Sequence, residues 1–75
     1  MLAMAEHLSR DLTCRQVVIL RLIYCGLTDK EVACRLGIDE ETVSNHLRKA
    51  FNRLGVHARG QAIGRALALG YDLHG

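Results

Sequence analysis

The sequence predicts an all-α domain of four helices that contains a helix-turn-helix. The 75 residues include no proline, and leucine, alanine and arginine are frequent, which favours helices over strands. Apolar residues recur at three- and four-residue intervals, and a glycine follows each such run, as is common where helices end. A composition of 49% apolar and 24% charged residues is typical of a folded globular domain.

Capping signals divide the chain into its predicted helices, which span residues 14–25, 29–36, 40–54 and 59–69. Thr13 precedes the first helix and Thr28 the second, and a glutamine or glutamate three residues later completes a capping box at each. Asp39 is the expected N-cap of the third helix, because its carboxylate can accept hydrogen bonds from first-turn N–H groups. The helices are expected to stop at Gly26, Gly37, Gly55 and Gly70.

One continuous domain is predicted for residues 12–71. The positions expected to face its core are Gln16, Ile19, Leu20, Ile23, Val32, Ala33, Leu36, Ile38, Val43, Leu47, Ala50, Phe51, Leu54, Val56, Ala62, Ile63, Ala66, Leu67 and Leu69. Residues 1–11 show weak periodicity and are expected to form a frayed lead-in or a short helical turn. Residues 72–75 are expected to form a tail outside the domain.

The second and third helices form a predicted helix-turn-helix. Residues 37–39 join them in a tight turn, with a glycine at the reversal and an apolar residue that contacts both helices. In this motif the second member, helix 40–54, lies in the major groove of DNA. An asparagine such as Asn45 suits adenine. The residues expected to contact bases are Glu41, Ser44, Asn45 and Arg48, and those expected to contact phosphates are Thr28, Lys30, Thr42, His46, Lys49 and Arg53.

The fourth helix is a candidate dimerisation element. One of its faces is expected to pack on the first helix, but an amphipathic terminal helix on so small a domain leaves apolar surface uncovered. A two-fold partner would bury that surface. The residues expected in the homodimer interface are Ala62, Ile63, Ala66, Leu67 and Gly70. A further apolar patch, which packs within the fold or contacts a protein partner, comprises Val17, Val18 and Tyr24.

Several other classes of protein are excluded. The three cysteines form no close pair, which argues against a disulfide framework and predicts a reducing, cytoplasmic location; we expect them to pack as small apolar residues. No apolar run approaches the roughly 20 residues that span a bilayer, and residues 1–8 lack the pattern of a secretion signal. Histidines and cysteines show no ligand spacing and no nucleophile has a base beside it, so we predict no metal, no cofactor and no enzyme activity.

A second series of motifs runs in order along residues 12–70. It comprises Leu12-Thr13, Leu20-x-Leu22, Gly26, Thr28-Asp29-Lys30-Glu31-Val32-Ala33, Leu36-Gly37-Ile38, Glu40-x-Thr42-Val43-x-Asn45-His46, Leu54-Gly55-Val56, Arg59, Gln61-Ala62 and Ala66. On these residues the segment resembles the LuxR-type DNA-binding domain, also called GerE- or FixJ-type. The resemblance implies four helices, a DNA-contacting third helix, and a homodimer formed largely through the fourth helix on a two-fold operator.

The sequence departs from that family at positions that bear on DNA binding. Basic residues are common in the family where this chain has Glu41 and Ser44, and glutamate is usual where it has Gln16. A carboxylate is repelled by phosphates, although it can accept a hydrogen bond from cytosine N4. The operator therefore cannot be taken from the family, and the loss of two cations predicts a weaker salt dependence of binding.

Two alternatives to a DNA-binding regulator stay open. A net charge of +2 is small for a nucleic-acid binder, so the argument for DNA rests on where the cations lie. A protein-interaction module on the same fold would explain the small charge, the acidic pair Glu40 and Glu41, and the apolar residues Val17 and Val18. An enzyme is the other alternative, but it has no candidate catalytic residues.

Overall fold

The computed structural model describes residues 12–74, and this part of the chain contains four α-helices and no strand. They are α1 (Cys14–Tyr24), α2 (Asp29–Leu36), α3 (Glu40–Leu54) and α4 (Arg59–Ala68). The prediction of an all-α, four-helix domain is confirmed. The ends of α2 and α3 agree with the predicted ends, and α1 and α4 each end one residue earlier. The predicted lead-in, residues 1–11, lies outside the described residues.

Both predicted capping boxes are present. At the start of α1, the Thr13 hydroxyl accepts from the N–H of Gln16 at 3.1 Å, and the Gln16 side chain accepts from the N–H of Thr13 at 2.9 Å. Thr28 and Glu31 make the same reciprocal pair at the start of α2, with distances of 3.2 and 2.8 Å. Because these bonds satisfy first-turn N–H groups, they fix where each helix begins.

The core lies around α3, which contacts each of the other three helices. The buried stripe of α3 comprises Val43, Leu47, Ala50 and Leu54. Opposing it are Ile19 and Leu20 of α1, Val32 and Ala33 of α2, and Ala62 and Ala66 of α4. The fourth helix contacts mainly α3 rather than α1, contrary to expectation, because the long α3 occupies the centre of the domain.

The chain returns to the core at Leu73, so the prediction that residues 72–74 form a tail outside the domain is wrong. Residue 75 lies outside the described residues. Leu73 is fully buried and joins the same apolar cluster as the helices. The hydroxyl of Tyr71 accepts a hydrogen bond from the backbone N–H of Leu12 at 3.0 Å. We call residues 71–74 the C-terminal strap.

The strap runs across α1. The Nε atom of Arg21 donates to the backbone carbonyl of Asp72 at 2.8 Å. Beyond it, the ring of His74 meets the ring of Tyr24 edge-on, with 5.0 Å between their centroids. The strap is therefore held by the buried Leu73, by two hydrogen bonds before it in the chain and by a ring contact after it.

The three cysteines are exposed and free, so the expectation that they pack as small apolar residues is wrong. Cys14 and Cys25 lie at the two ends of α1, and Cys34 lies on the outer side of α2, outside the buried stripes. Within residues 12–74, no helix is both long and apolar enough to cross a membrane. The same residues contain no group of three or more histidine, cysteine, aspartate or glutamate side chains placed so that they could hold a metal ion.

Candidate nucleic-acid interface

The turn between α2 and α3 sets the direction of α3. Gly37 has a left-handed backbone with φ +71°, which a residue with a Cβ atom rarely adopts. The next N–H, of Ile38, donates to the carbonyl of Ala33 at 3.0 Å, and the Ile38 side chain packs against the core. This pattern is a Schellman-type helix end, in which the backbone bonds and the apolar contact close α2 and start the chain towards α3.

Asp39 fixes the first turn of α3. Its carboxylate accepts from the hydroxyl of Thr42 and from the N–H of Thr42, the latter at 3.2 Å. These two bonds, the hydroxyl first, hold the pKa of Asp39 below its ordinary value of 3.8. The single hydrogen of the Thr42 hydroxyl is thus used within the protein. A phosphate oxygen can only accept, so a contact from this hydroxyl to DNA would require the bond to Asp39 to break.

The outer side of α3 carries a row of polar residues. Positions spaced three and four apart share one side of a helix, and the buried stripe occupies the other side. All four residues predicted to contact bases are exposed, and we call them the recognition face: Glu41, Ser44, Asn45 and Arg48. Two of the predicted phosphate contacts on the same helix, Thr42 and His46, are half-buried at its edge.

Two residues of the recognition face bond to each other. The Nη2 atom of Arg48 donates to the Oδ1 atom of Asn45 at 2.6 Å. A distance this short is typical of a hydrogen bond strengthened by the positive charge of the donor. Matching each side chain separately to a base does not predict this bond. Their three-residue spacing on a helix was the signal that could have revealed the pair.

Charge is unevenly distributed along α3. Its first turn is acidic, with Asp39, Glu40 and Glu41 exposed, whereas Lys49 and Arg53 are exposed near its carboxyl end. At the amino end of α2, Thr28 and Lys30 are exposed as well. On α3 the exposed carboxylates therefore lie at the amino end and the exposed cations lie towards the carboxyl end.

An ion pair ties α4 to the helix-turn-helix. Arg59 Nη2 lies 2.6 Å from Asp29 Oδ1, so the first residue of α4 contacts the first residue of α2. The Asp29 side chain is mostly buried and that of Arg59 is about half exposed, which shields the pair partly from solvent. The sequence does not predict this contact, because 30 residues separate Asp29 from Arg59 and no local pattern links them.

The predicted dimer interface is only partly accessible. Ala62 and Ala66 are fully buried in the core of the domain, so a second subunit cannot contact them and their assignment to an interface is wrong. They are small because α4 lies close to α3 at these positions. Ile63 is half-buried, whereas Leu67 and Gly70 are exposed. Leu69 is exposed beside them at 44% of its surface.

The predicted partner patch on α1 divides in the same way. Val17 packs against the core, and Val18 is half-buried. Tyr24 is 38% exposed and has the ring of His74 against it. The surface that this patch offers to another protein is therefore mainly that of Tyr24.

Comparison with known proteins identifies related sequences. The family model for bacterial regulatory proteins of the luxR family matches residues 10–66. The chain is 41% identical over 59 residues to the spore germination protein GerE of Bacillus subtilis, which covers 79% of this chain and 80% of that protein. It is also 46% identical over 49 residues to a nitrate/nitrite response regulator protein homolog of Haemophilus influenzae, covering 65% of this chain and 24% of the relative.

The same relationship holds for structure. A solved structure of the transcription factor GerE matches with a TM-score of 0.78 at 38% identity, covering 83% of this chain and 94% of that one. The transcriptional regulatory protein YdfI of Bacillus subtilis is 37% identical over 60 residues, which is 80% of this chain but 28% of YdfI. The chain thus spans about a quarter of the nitrate/nitrite regulator homolog and of YdfI, and most of GerE. It belongs to the luxR family of bacterial regulatory proteins, as a DNA-binding domain of a transcription regulator and not as an enzyme.

Proposed function

We propose that this domain binds a specific DNA sequence as a homodimer on a two-fold operator, with α3 in the major groove. The observation that carries the proposal is the exposure of Glu41, Ser44, Asn45 and Arg48 on one side of α3, directly after its N-cap turn. Together they offer hydrogen-bond donors and acceptors to base edges. Half-sites are expected about 10 bp apart, one helical turn of DNA. The protein would act in the bacterial cytoplasm, where the chromosome lies.

Phosphate contacts would orient the domain without selecting sequence. The residues proposed for them are Thr28, Lys30, Thr42, His46, Lys49 and Arg53. The exposure of Lys30 on α2 and of Lys49 on α3 supports this assignment, because the two cations lie on the two members of the helix-turn-helix. Thr42 is the weakest member of the set, since its hydroxyl already donates to Asp39.

The homodimer would form through the end of α4. Among the described residues, three large apolar side chains are exposed, and two of them, Leu67 and Leu69, lie at this end. Leu67 lies on the same side of α4 as Ile63, four residues before it, and Gly70, three residues after it, and a symmetric copy would remove this apolar surface from water. Ala62 and Ala66 support this surface from inside the domain and take no part in the contact.

A salt titration tests DNA binding. The full chain is titrated with random-sequence duplex DNA over a range of salt concentrations, together with two variants. Lys49→Ala should weaken binding to all sequences alike and reduce the slope of log K against log salt by about 1. The matched control is Arg15→Ala, which removes an exposed cation from α1 and should leave the slope unchanged. Undetectable binding at low salt would contradict the proposal.

Sedimentation tests the dimer. Leu67→Ser and Tyr24→Ser each remove a large side chain of nearly equal exposure, 37% and 38%, from different helices. Only Leu67→Ser should shift the protein from dimer to monomer. A wild-type chain that stays monomeric at high concentration, or equal dissociation of both variants, would contradict dimerisation through α4.

A protein-interaction module is the second candidate function. The observation that favours it is the exposed acidic first turn of α3, Asp39 to Glu41, which is repelled by DNA phosphates. Tyr24, with Val17 and Val18 beside it, would then offer the apolar part of the contact. A wild-type domain that is folded but binds no DNA at low salt would favour this candidate.

A further inference from the structure

The bonded pair on α3, Asn45 and Arg48, has a fixed orientation. An arginine side chain can only donate hydrogen bonds, so the atom of Asn45 that faces it at 2.6 Å is the amide oxygen and not the nitrogen. The amide NH2 group of Asn45 therefore points away from Arg48. Both side chains are exposed, and both belong to the recognition face.

This orientation changes what Asn45 can contact. An asparagine that binds adenine uses its oxygen to accept from the N6 amino group and its nitrogen to donate to N7. In this domain the oxygen already accepts a charge-assisted hydrogen bond. The oxygen keeps a second lone pair, but the positive charge of Arg48 beside it repels the hydrogens of a base amino group. The pair therefore presents mainly donors to a base edge, namely the NH2 group of Asn45 and the other N–H groups of Arg48.

Guanine is the base that matches a set of donors. Its major-groove edge presents two acceptors, N7 and O6, whereas adenine presents one acceptor and one amino group, cytosine presents an amino group, and thymine presents one acceptor, O4, beside a methyl group. The positive charge of Arg48 is attracted to the two acceptors of guanine and repelled by the amino hydrogens of adenine and cytosine, and thymine offers the donors a single acceptor. Exclusion of water from the groove would strengthen the Asn45–Arg48 bond, which makes a change to the adenine-binding orientation costly.

We infer that Asn45 and Arg48 act as one donor unit that selects guanine at a single base position in each half-site. The inference rests on the proposed insertion of α3 into the major groove and names the base that this part of the helix recognises. Glu41, one turn earlier on the same side of α3, carries the only carboxylate of the recognition face. A base that presents an amino group would accordingly be recognised by Glu41 and not by the pair.

The test is selection of bound sequences from a random duplex library with the full chain, followed by measurement of Kd for duplexes that differ at one position. Four proteins are compared with the wild type: Asn45→Ala, Arg48→Ala, the double variant, and Asn52→Ala. The last is the matched control, because Asn52 is an exposed asparagine of the same helix that lies one turn beyond Arg48, away from the amino-terminal turns expected to contact base edges.

The wild type should enrich guanine at one position of each half-site and prefer it there over adenine by about 5- to 150-fold. Each single variant should reduce the preference at that same position. The double variant should lose less of the guanine preference than the two single-variant losses multiplied together, because both substitutions disrupt the same unit. Asn52→Ala should keep the wild-type preference.

Three results would overturn the inference while leaving DNA binding intact. They are enrichment of adenine at the position that Asn45→Ala relaxes, relaxation of different positions by the two single variants, and losses that multiply in the double variant. A wild type that enriches no sequence and retains no duplex would instead contradict the proposed function itself, and the inference with it.

Discussion

The helix-turn-helix and the C-terminal strap are both well fixed, but by different kinds of contact. In the helix-turn-helix the bonds are local: Thr28 pairs with Glu31, and Asp39 pairs with Thr42, each three residues apart. In the strap the bonds are distant. Tyr71 contacts Leu12 across 59 residues, and Arg21 contacts Asp72 across 51.

The difference determines what each region needs in order to form. Local caps form whenever the adjacent turn is helical, so the start of α3 depends little on the rest of the chain. Strap contacts require the two ends of the domain to be brought together first, and closing so long a loop costs conformational entropy. We therefore expect changes in the strap to affect global stability most, and changes in the turn to have smaller effects.

The largest expected effect is that of Leu73→Ala. Removal of a fully buried leucine side chain should lower the free energy of unfolding by about 2–5 kcal/mol, because it leaves a cavity in the core. Urea denaturation at low protein concentration measures this. Leu69→Ala, at an exposed leucine four residues earlier, is the control and should change stability by less than about 0.5 kcal/mol. Equal effects of the two variants would mean that the strap is not part of the core.

Gly37→Ala tests the turn and should have a smaller effect. A Cβ atom at φ +71° meets no nearby atom, so the cost is that of the left-handed backbone, about 1–2 kcal/mol. Gly64→Ala is the matched control, because Gly64 lies within α4 in open space. It should stabilise the domain by about 0.5–1 kcal/mol. If both variants changed stability in the same direction, backbone conformation at Gly37 would not be what fixes the turn.

Tyr71→Phe removes a single bond of the strap. The N–H of Leu12 would lose its acceptor, and the free energy of unfolding should fall by about 1 kcal/mol, with faster amide hydrogen exchange at Leu12. Tyr24→Phe removes the hydroxyl of an exposed tyrosine and should cost less than about 0.5 kcal/mol. Unchanged exchange at Leu12 in Tyr71→Phe would contradict the long-range bond.

The smallest expected effect is the pH dependence of the α3 cap. Because the pKa of Asp39 is lowered by folding, its contribution to stability is fully present above the ordinary value of 3.8 and is lost as pH falls through the lower folded pKa. Thr42→Val removes the larger cause and should raise the pKa of Asp39, as measured by NMR titration of its carboxyl carbon. Thr28→Val, at the cap of α2, should leave this pKa unchanged.

Local chemistry explains how much of the fold the sequence predicted. The caps at Thr13, Thr28 and Asp39 and the left-handed glycines Gly37 and Gly55 mark helix ends through interactions within a few residues. The exposure of the recognition face followed from helical periodicity, because the buried stripe of α3 leaves one side for polar residues.

For the candidate site, the sequence predicted which residues are exposed but not the hydrogen bonds between them. Periodicity placed Asn45 and Arg48 on the same side of α3, but not the bond between them, which redirects the proposed base preference. On α4, the four-residue spacing of Ala62 and Ala66 suited a close contact between helices. The sequence could not tell whether the neighbouring helix belongs to the same domain or to another subunit.

The sequence by itself determined the four helices, their caps and the polar side of α3, because each depends on residues a few positions apart. Only the tertiary structure decided that α4 packs on α3, that Asp29 pairs with Arg59, and that Leu73 returns to the core. These contacts join residues separated by tens of positions. Which of the many possible distant pairs forms depends on how the whole apolar surface is buried, and no local pattern records that.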